Sequence, residues 1–489
     1  MIPDHTISIG PTQSESDTNL TSRRKKWQDE NLDHNTKQLI DEDQRYFLHQ
    51  SVSSPCLNAI HKAEGIYIED VSGRRYMDFH GNNVHHIGYG HPRLKQAIID
   101  EMNSLPFSPR RFANKTSVAL AKKLAEIAPG DLSKTLFTTG GSDAVEVAVK
   151  IARTATKRHK TLSFWDAFHG AGVGSSALSG ETLFRSGPAA PMVAGSEHVA
   201  PFACYHCAYG YQTQADGTPP LETCQLACAR MIDYVLSRET DVACLVAEPA
   251  RAVPYIPPEG FWPMVKEICH KYGTLLIFDE IPTGLGKTGH MFACEHDKVV
   301  PDILVMGKAL GGGILPIAAV MTRPDLDVGR DWAFGHYTHE KNPVTARAAL
   351  TTIEIIEEEK LVDNAAQIGH VAMGKMREMK KRHAVIGDCR GRGHRHRCGV
   401  HAAHGGEGVL RRSGGSSCNR REARRPRARA RSRDRRRSTP LQVRRTAGRT
   451  PDSCSRSRCW CFPRTGSSRS RRPGAGWSTA LMRRILTAA

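Results

Sequence analysis

The sequence of 489 residues contains no apolar run long enough to cross a lipid bilayer. Its N-terminal stretch is polar and lacks the apolar core of a secretory signal. We therefore expect a cytoplasmic protein with no membrane partner, whose thiols stay reduced. In that setting the 14 cysteines are free thiols or metal ligands rather than a disulfide framework. Internal repeats are absent as well, and the length suffices for two or three domains.

Lysine is absent from residues 391–489, which nevertheless contain 27 arginines and only four acids. This segment has a net charge of +23 against +19 for the whole chain, so the first 390 residues carry −4. The basic excess is therefore confined to the C-terminal segment and does not indicate a nucleic-acid-binding surface on the body. The segment also shows no apolar periodicity, which distinguishes it from everything that precedes it.

Short apolar runs alternate with helical patterns through the middle of the chain. The predicted strands are Thr135–Thr138, Thr161–Gly170, Val242–Pro249, Thr274–Phe278 and Ile303–Met306; helices are predicted at Asp143–Arg153, Gly260–Gly273 and over Asn342–His383, and a hairpin at Gly65–Pro92. Continuous apolar strands separated by helices are typical of an α/β domain with a buried, mostly parallel sheet. Ligands bind such sheets at the carboxyl ends of the strands. Polar residues after these runs are therefore candidate site residues.

Two charged residues stand at such positions. Asp279 ends a buried run, so its carboxylate needs a cationic partner, which a protonated ring nitrogen supplies. Lys308 follows the next run and precedes three glycines that allow close approach of a ligand. A desolvated lysine is a nucleophile that forms Schiff bases. The blander interpretations are a helix N-cap at Asp279-Glu280 and a surface position for Lys308.

Three further features complete a pattern. Gly140-Gly141-Ser142 precedes a predicted helix, whose first backbone N–H groups form an anion site. Phe168-His169 follows a strand and offers a flat face for stacking, although Phe168 is also a possible core residue. Thr338 lies in a polar loop and adds a hydroxyl donor. An anion cradle, an aromatic face, a carboxylate and an amine together describe a pocket for pyridoxal 5'-phosphate.

These motifs, in this order, resemble those of the class III (ω-type) aminotransferases, which are pyridoxal phosphate enzymes of fold type I. The resemblance covers residues 63–393 and rests on "FTTGGSDAVEVAVKIAR", "FWDAFHG", "AEP", "FDEIPTGLGKTG", "MGKALGGG" and "THEKNP". It implies a large domain with a mostly parallel sheet flanked by helices, and a smaller domain from the N- and C-terminal parts that is incomplete here. The details further resemble a subgroup that acts on aminoalkyl phosphonates or phosphates, some members of which are lyases.

The resemblance also implies roles for residues. Lys308 would bind the cofactor as a Schiff base and shuttle protons, and Asp279 would pair with the pyridine nitrogen. Phe168 would stack on the ring, and Glu248 would lie near ring and substrate. The remaining cofactor contacts would come from Gly140, Gly141, Ser142, His169 and, from the second subunit of a homodimer, Thr338. The implied reaction moves an amino group from a primary amine or amino acid to a keto acid. The alternative is an ammonia-lyase or phospho-lyase acting on an amino-phosphonate or amino-phosphate.

The chain departs from the family at two positions near this pocket. Pro282 stands where a glutamine usually contacts the ring hydroxyl, and Ala250-Arg251 replaces the common Gln-Gly. Asn82, Arg110 and Arg111 would face the substrate. Arginines suit a phosphonate, phosphate or carboxylate group, although a solvated or structural role for this pair is the favoured interpretation.

Four cysteines in an insert at about 201–230 have a spacing that zinc sites use. Cys204 and Cys207 are followed 16 residues later by Cys224 and Cys228. Four such thiolates bind zinc tetrahedrally, and four free thiols are the alternative. The predicted organisation is a polar leader (1–45), an N-terminal segment with short strands (46–100), the cofactor-binding domain (101–335), the start of a small C-terminal domain (336–390) and the Arg-rich segment (391–489).

Three interpretations of residues 391–489 are open: a nucleic-acid-binding extension, a disordered tail, and a segment translated out of frame. We do not expect a nucleic-acid partner. The family expects a strand like Gly-Ile-Gly-Ile-Gly-Val-Glu-Phe after residue 392. One choice among the synonymous codons for His394–Val400, CAT CGG CAT CGG TGT GGA GTT C, encodes Ile-Gly-Ile-Gly-Val-Glu-Phe when read one base later. A frameshifted segment would leave the helices of 342–383 without their partner sheet. We therefore expect this chain to be poorly folded or inactive.

Overall fold

The computed structural model describes residues 21–50, 53–185, 193–214, 218–251 and 255–400, with the backbone alone for 396–400. The first 20 residues of the polar leader and residues 401–489 of the Arg-rich segment lie outside the described residues. The rest of the leader forms two helices, α1 (Ser22–Asn31) and α2 (His34–Tyr46). Each helix begins at a capping side chain, since Thr21 accepts from Arg24 N and Asp33 accepts from Thr36 N.

A seven-stranded sheet forms the centre of the described part of the chain, in the order β4-β10-β9-β8-β7-β5-β6. Its strands are β4 (Lys134–Thr138), β5 (Lys160–Phe164), β6 (Ser196–Val199), β7 (Val242–Ala247), β8 (Leu275–Asp279), β9 (Ile303–Met306) and β10 (Ala318–Thr322). All neighbours pair in parallel except β10, which is antiparallel to both β4 and β9. β4 therefore runs in the same direction as β9. The predicted α/β fold with a mostly parallel sheet is confirmed.

Helices cover both faces of this sheet. The helices of the described chain after the leader are α3 (Pro92–Ser104), α4 (Lys115–Ile127), α5 (Gly141–Thr156), α6 (Val173–Leu178), α7 (Thr182–Arg185), α8 (Leu221–Cys224), α9 (Ala227–Arg238), α10 (Phe261–Tyr272), α11 (Pro343–Glu358) and α12 (Leu361–Arg382). Successive strand residues point to opposite faces. Leu245 and Phe278 pack with Trp262 of α10, while Val246 and Ile277 pack against α5. Every residue of β7 is consequently buried. Within the described ranges, no helix combines the length and apolar character needed to cross a membrane.

Some element boundaries differ from the sequence-based prediction. β5 ends at Phe164 and β7 at Ala247, because the polar residues after them turn out of the sheet. The helix predicted from Asp143 begins at Gly141, so Gly141 and Ser142 lie within its first turn. Within the predicted hairpin at 65–92, only β2 (Tyr67–Asp70) and β3 (Arg75–Met77) are strands. Together with β1 (Ile60–Glu64), which precedes the predicted hairpin, they form an antiparallel sheet.

A further hairpin crosses residue 391. It consists of β11 (Ile386–Arg392) and β12 (Arg395–Val400), which pair antiparallel around a turn at Gly393. His394 N donates to the carbonyl of Lys287, so this turn packs on the loop that follows β8. Pairing by backbone hydrogen bonds needs no particular side chains, which explains a strand where the apolar pattern is lost. The domain boundaries themselves remain a prediction.

Asp78 organises the turn between β3 and α3. Its carboxylate accepts hydrogen bonds from Tyr89 Oη at 2.7 Å, His80 N at 2.8 Å and Gly81 N at 2.9 Å. Burial raises the pKa of Asp78, but these hydrogen bonds together lower it by more than burial raises it. The pKa of Asp78 therefore lies below its ordinary value. The ionised carboxylate therefore stabilises the turn that contains Asn82.

Tyr89→Phe tests this arrangement. Because one hydrogen bond is lost, we expect the unfolding free energy at neutral pH to fall by about 1 kcal/mol. A carboxylate whose pKa is lower in the folded state stabilises the folded protein fully at pH values above its unfolded-state pKa of about 3.9. This stabilisation is lost as the pH falls through the folded-state pKa. The difference in unfolding free energy between the variant and the wild type should therefore become smaller below roughly pH 4. Thermal melts across this range measure it, with the exposed Tyr234→Phe as control, and a pH-independent difference would contradict the expectation.

Candidate functional site

The carboxyl ends of five strands bring the candidate residues to one edge of the central sheet. β4, β5, β7, β8 and β9 all run in the same direction, and the residues that end or follow them are Gly140–Ser142, Phe168–His169, Glu248, Asp279 and Lys308. Neighbouring strands are in register here, since Ala247 pairs with Phe278 and Asp279 with Val305. The site predicted from separate motifs is therefore one continuous edge.

Asp279 is the buried carboxylate of this edge, with 2% of its surface exposed. Its Oδ2 lies 2.9 Å from Nδ1 of His169, and Ile281 N donates to Oδ1 at 3.1 Å. Because an ionised carboxylate only accepts, His169 donates from Nδ1. Nε2 of His169 is buried and has no hydrogen-bond partner among the described residues. The sequence predicts a stacking face for His169, whereas the structure shows a ring that orients Asp279.

Glu280, the next acid, serves a different purpose. Its carboxylate accepts from the Thr283 hydroxyl and from Cys294 N at 2.8 Å, and it is almost fully buried. Burial raises the pKa of Glu280 despite these hydrogen bonds. Glu280 therefore anchors the loop after β8, and of the two adjacent acids only Asp279 faces the site. The N-cap interpretation is not needed, since no helix begins there in the described chain.

Lys308 is held in an uncommon backbone conformation. It follows Gly307 at the end of β9, is half-buried and has a φ of +46° in the left-handed region. Such a conformation in a residue other than glycine is typical of functional positions. Among the described residues, no hydrogen bond or ion pair engages its amine. An amine with no acid beside it is suited to condense with an aldehyde.

The predicted anion cradle is present at the start of α5. Gly140 occupies the N-cap without a side-chain cap, so the first backbone N–H groups of a 16-residue helix remain available. A Cβ on Gly141 would lie 2.7 Å from Cδ1 of Ile281, which shows how tightly the helix start packs on the loop after Asp279. Ser142 Oγ accepts from Ala171 N at 3.0 Å and keeps its own proton for donation. The cradle fits a phosphate group.

Phe168 and Glu248 form the wall beside the cradle. Phe168 N donates to Oε1 of Glu248 at 3.4 Å, and the half-buried Phe168 ring packs against Phe184 with centroids 4.5 Å apart. Glu248 in turn pairs with Arg251 Nη1 at 3.2 Å. Arg251 appears in the sequence only as a departure from the family, and Glu181, its second partner, is not a sequence-based candidate at all. Glu181 is 70 residues away along the chain, so no local motif indicates it.

The structure describes each of the proposed substrate residues, and it gives them few contacts. Asn82 is exposed in a turn that packs against the 308–311 segment. Arg110 is half-buried and Arg111 exposed, and neither guanidinium has a hydrogen bond or ion pair within the described ranges. Thr338 is exposed on a loop of the same chain. Its role toward a second subunit, like the substrate role of the other three residues, remains a prediction.

The four cysteines line one small cavity and are all free. Burial, assisted by the neighbouring thiols, raises the pKa of Cys204 to about 11 and that of Cys228 to about 12. Across the described residues, no group of three or more His, Cys, Asp or Glu side chains is arranged to hold a metal ion. The four thiols form no disulfide, and zinc binding at these positions remains a prediction.

Comparison with known proteins agrees with this geometry. The family model described as aminotransferase class III matches residues 49–401. The chain is 40% identical over 388 residues to an (R)-1-hydroxy-2-aminoethylphosphonate ammonia-lyase of Vibrio splendidus, covering 78% of this chain and 81% of that protein. It is 34% identical over 339 residues to an alanine/serine racemase of Pyrococcus horikoshii, covering 67% and 70%. An ω-transaminase of Pseudomonas jessenii in complex with PMP superposes with a TM-score of 0.67 at 28% identity, covering 73% and 82%.

His169→Leu tests the pairing with Asp279. Loss of the Nδ1 donor leaves the buried carboxylate less well oriented, so we expect pyridoxal phosphate to bind the apoprotein about tenfold more weakly. Absorbance titration measures the dissociation constant. The exposed His270→Leu is the matched control, and an unchanged constant in the His169 variant would show that His169 does not position Asp279.

Proposed function

The chain belongs to the class III aminotransferase family, and from this premise we propose that it releases the amino group of a small aminoalkyl phosphonate as ammonia. The observation that carries the proposal is the 40% identity to a phosphonate ammonia-lyase, against 28% to the ω-transaminase that shares the fold. The family and its structural relatives depend on pyridoxal phosphate, so this cofactor belongs to the chain as well.

The residues at the sheet edge fit the cofactor. Bound pyridoxal phosphate withdraws electrons from the amine-bearing carbon of the substrate and so weakens the bonds to that carbon. In our proposal Asp279 keeps the ring nitrogen protonated, and the start of α5 holds the phosphate. Phe168 presents its ring face, and the amine of Lys308 binds the cofactor and moves a proton between substrate atoms.

Two arginines supply cations for the phosphonate. Arg110 and Arg111 precede α4 in a segment that Asn114 joins to the loop after Thr338, through a 2.9 Å hydrogen bond to Lys341 O. A planar guanidinium matches phosphonate oxygens with two parallel hydrogen bonds. Since neither guanidinium is engaged within the described ranges, both are available to an anionic substrate.

Transamination is the second candidate, and the shared fold with ω-transaminases favours it. A keto acid acceptor brings a second carboxylate, which in this family an arginine of the C-terminal domain often binds. Elimination of ammonia consumes no acceptor, so the two reactions differ in whether a keto acid is required. Because we expect residues 391–489 to be out of frame, the lack of such an arginine there favours neither reaction.

We also propose a homodimer. Exposed apolar side chains are concentrated on one face of α3 and in the segment after it, namely Ile99, Met102, Leu105, Phe107 and Phe112. A patch of this kind indicates a surface that another protein covers. Thr338 is exposed nearby on the chain's own surface, as a residue that completes a partner's site needs to be.

Lys308→Ala tests the cofactor assignment. Wild-type protein should carry a yellow chromophore that borohydride fixes covalently to Lys308, and the variant should carry no reducible chromophore, because the imine needs this amine. Absorbance scans and mass mapping of the reduced lysine measure this. The exposed Lys122→Ala is the control, and a reducible chromophore in the Lys308 variant would refute the assignment.

The reaction class is tested by leaving out the acceptor. With (R)-1-hydroxy-2-aminoethylphosphonate alone, we expect ammonium release over many turnovers, measured by ion chromatography so that no coupling keto acid is present. Turnover that requires a keto acid supports the transaminase instead. A chain that binds the cofactor at Lys308 but releases nothing supports the expectation that residues 391–489 impair activity. The same assay on a chain with the reading frame shifted by one base after residue 393 then decides the reaction class.

A further inference from the structure

Arg251 lies buried between two carboxylates from distant parts of the chain. Its Nη1 is 3.2 Å from Oε1 of Glu248, which follows β7, and its Nη2 donates to Oε1 of Glu181, which precedes α7. The exposed fractions of Arg251, Glu248 and Glu181 are 5%, 3% and 5%. The planar fork of a guanidinium is suited to bridge two such groups, whereas the point charge of lysine is not.

Each carboxylate is tied to one half of the aromatic wall. Glu248 accepts from Phe168 N at 3.4 Å. Glu181 accepts at its backbone carbonyl from Phe184 N at 3.1 Å, and its own N donates to Ala167 O at 3.2 Å. The two rings meet with centroids 4.5 Å apart. Arg251 therefore connects the end of β7, which carries Glu248, to the start of α7, whose Phe184 packs against Phe168.

The electrostatics make Arg251 difficult to replace. Glu181 and Glu248 are buried carboxylates, and breaking a buried ion pair leaves an uncompensated charge. Asp166 faces the same guanidinium: burial raises the pKa of Asp166, and Arg251 opposes that rise. Without the guanidinium, the repulsion between the carboxylates would separate the Phe168 and Phe184 segments.

We propose that Arg251 is a positioning residue that fixes the Phe168–Phe184 wall over the cofactor ring by bridging Glu248 and Glu181. The inference rests on the proposed function only in requiring that pyridoxal phosphate binds at this edge. Arg251 stands where family members usually have glycine, so this bridge is not part of the general family pocket. It is a feature by which this chain sets the shape of its own site.

Two variants separate positioning from simple charge compensation. Arg251→Gln removes the bridge and the positive charge between the two buried carboxylates. We expect a lower thermal midpoint, a cofactor dissociation constant about tenfold higher, and a weaker visible circular dichroism band of the bound cofactor. Arg251→Gln combined with Glu181→Gln restores the net charge of −1 that the three groups have in wild type. We expect this double variant to recover the thermal midpoint but neither the dissociation constant nor the dichroism band.

The control is Arg323→Gln. Arg323 pairs with the buried Asp302 at 2.8 Å, at the opposite edge of the same sheet, so its loss should lower the thermal midpoint and leave cofactor binding unchanged. Wild-type binding and dichroism in Arg251→Gln would overturn the proposal, and so would recovery of both in the double variant. Absence of ammonia release from the frame-shifted chain, with the cofactor bound, would refute the proposed reaction and leave the role of Arg251 testable. Failure of wild-type protein to bind the cofactor would refute both.

Discussion

The buried carboxylate of Asp279 is the constraint on which the site depends. A charge with 2% exposure costs several kcal/mol unless cations and donors offset it. The protein provides His169 on one oxygen and a backbone N–H on the other, at 2.9 and 3.1 Å. These contacts orient the carboxylate but bring no permanent positive charge, because a histidine is not always protonated. In the function proposed here, the protonated ring nitrogen of the cofactor supplies the missing positive charge beside Asp279.

The sheet topology makes this one acid part of a larger site. Because β10 is inserted antiparallel between β4 and β9, β4 keeps the direction of the other site strands and delivers α5 to the same edge. Reversing β4 would move the phosphate cradle to the far end of the sheet. Burial on both faces then leaves the strand ends as the places where polar side chains reach a ligand, and it fixes their spacing by strand register.

The sequence predicts well what is local and poorly what is not. Asp279 and Lys308 follow continuous apolar runs, and that pattern alone locates them at strand ends. The role of His169 is not visible in the sequence, since its partner lies 110 residues away and its neighbour Phe168 suggests stacking. The Arg251–Glu181 pair cannot be predicted from the sequence for the same reason, since its two residues are 70 positions apart. Side-chain pairs between distant segments depend on the direction in which each loop leaves its strand, and apolar periodicity carries no information about that direction.

The hairpin at residues 386–400 shows how a strand and its sequence can disagree. Backbone pairing continues through β12, yet Arg395 is only 7% exposed and donates from Nη1 to Pro282 O at 2.6 Å, beside the loop that follows Asp279. Burying a guanidinium costs several kcal/mol in desolvation, which its hydrogen bonds must offset. Read one base later, the codons proposed above place glycine at this position, with no charge to bury and no side chain to fit against the loop. The out-of-frame interpretation of residues 391–489, like the other two, remains a prediction. For Arg395 as it stands, the hydrogen bond to Pro282 O is one contact that offsets the cost of desolvation.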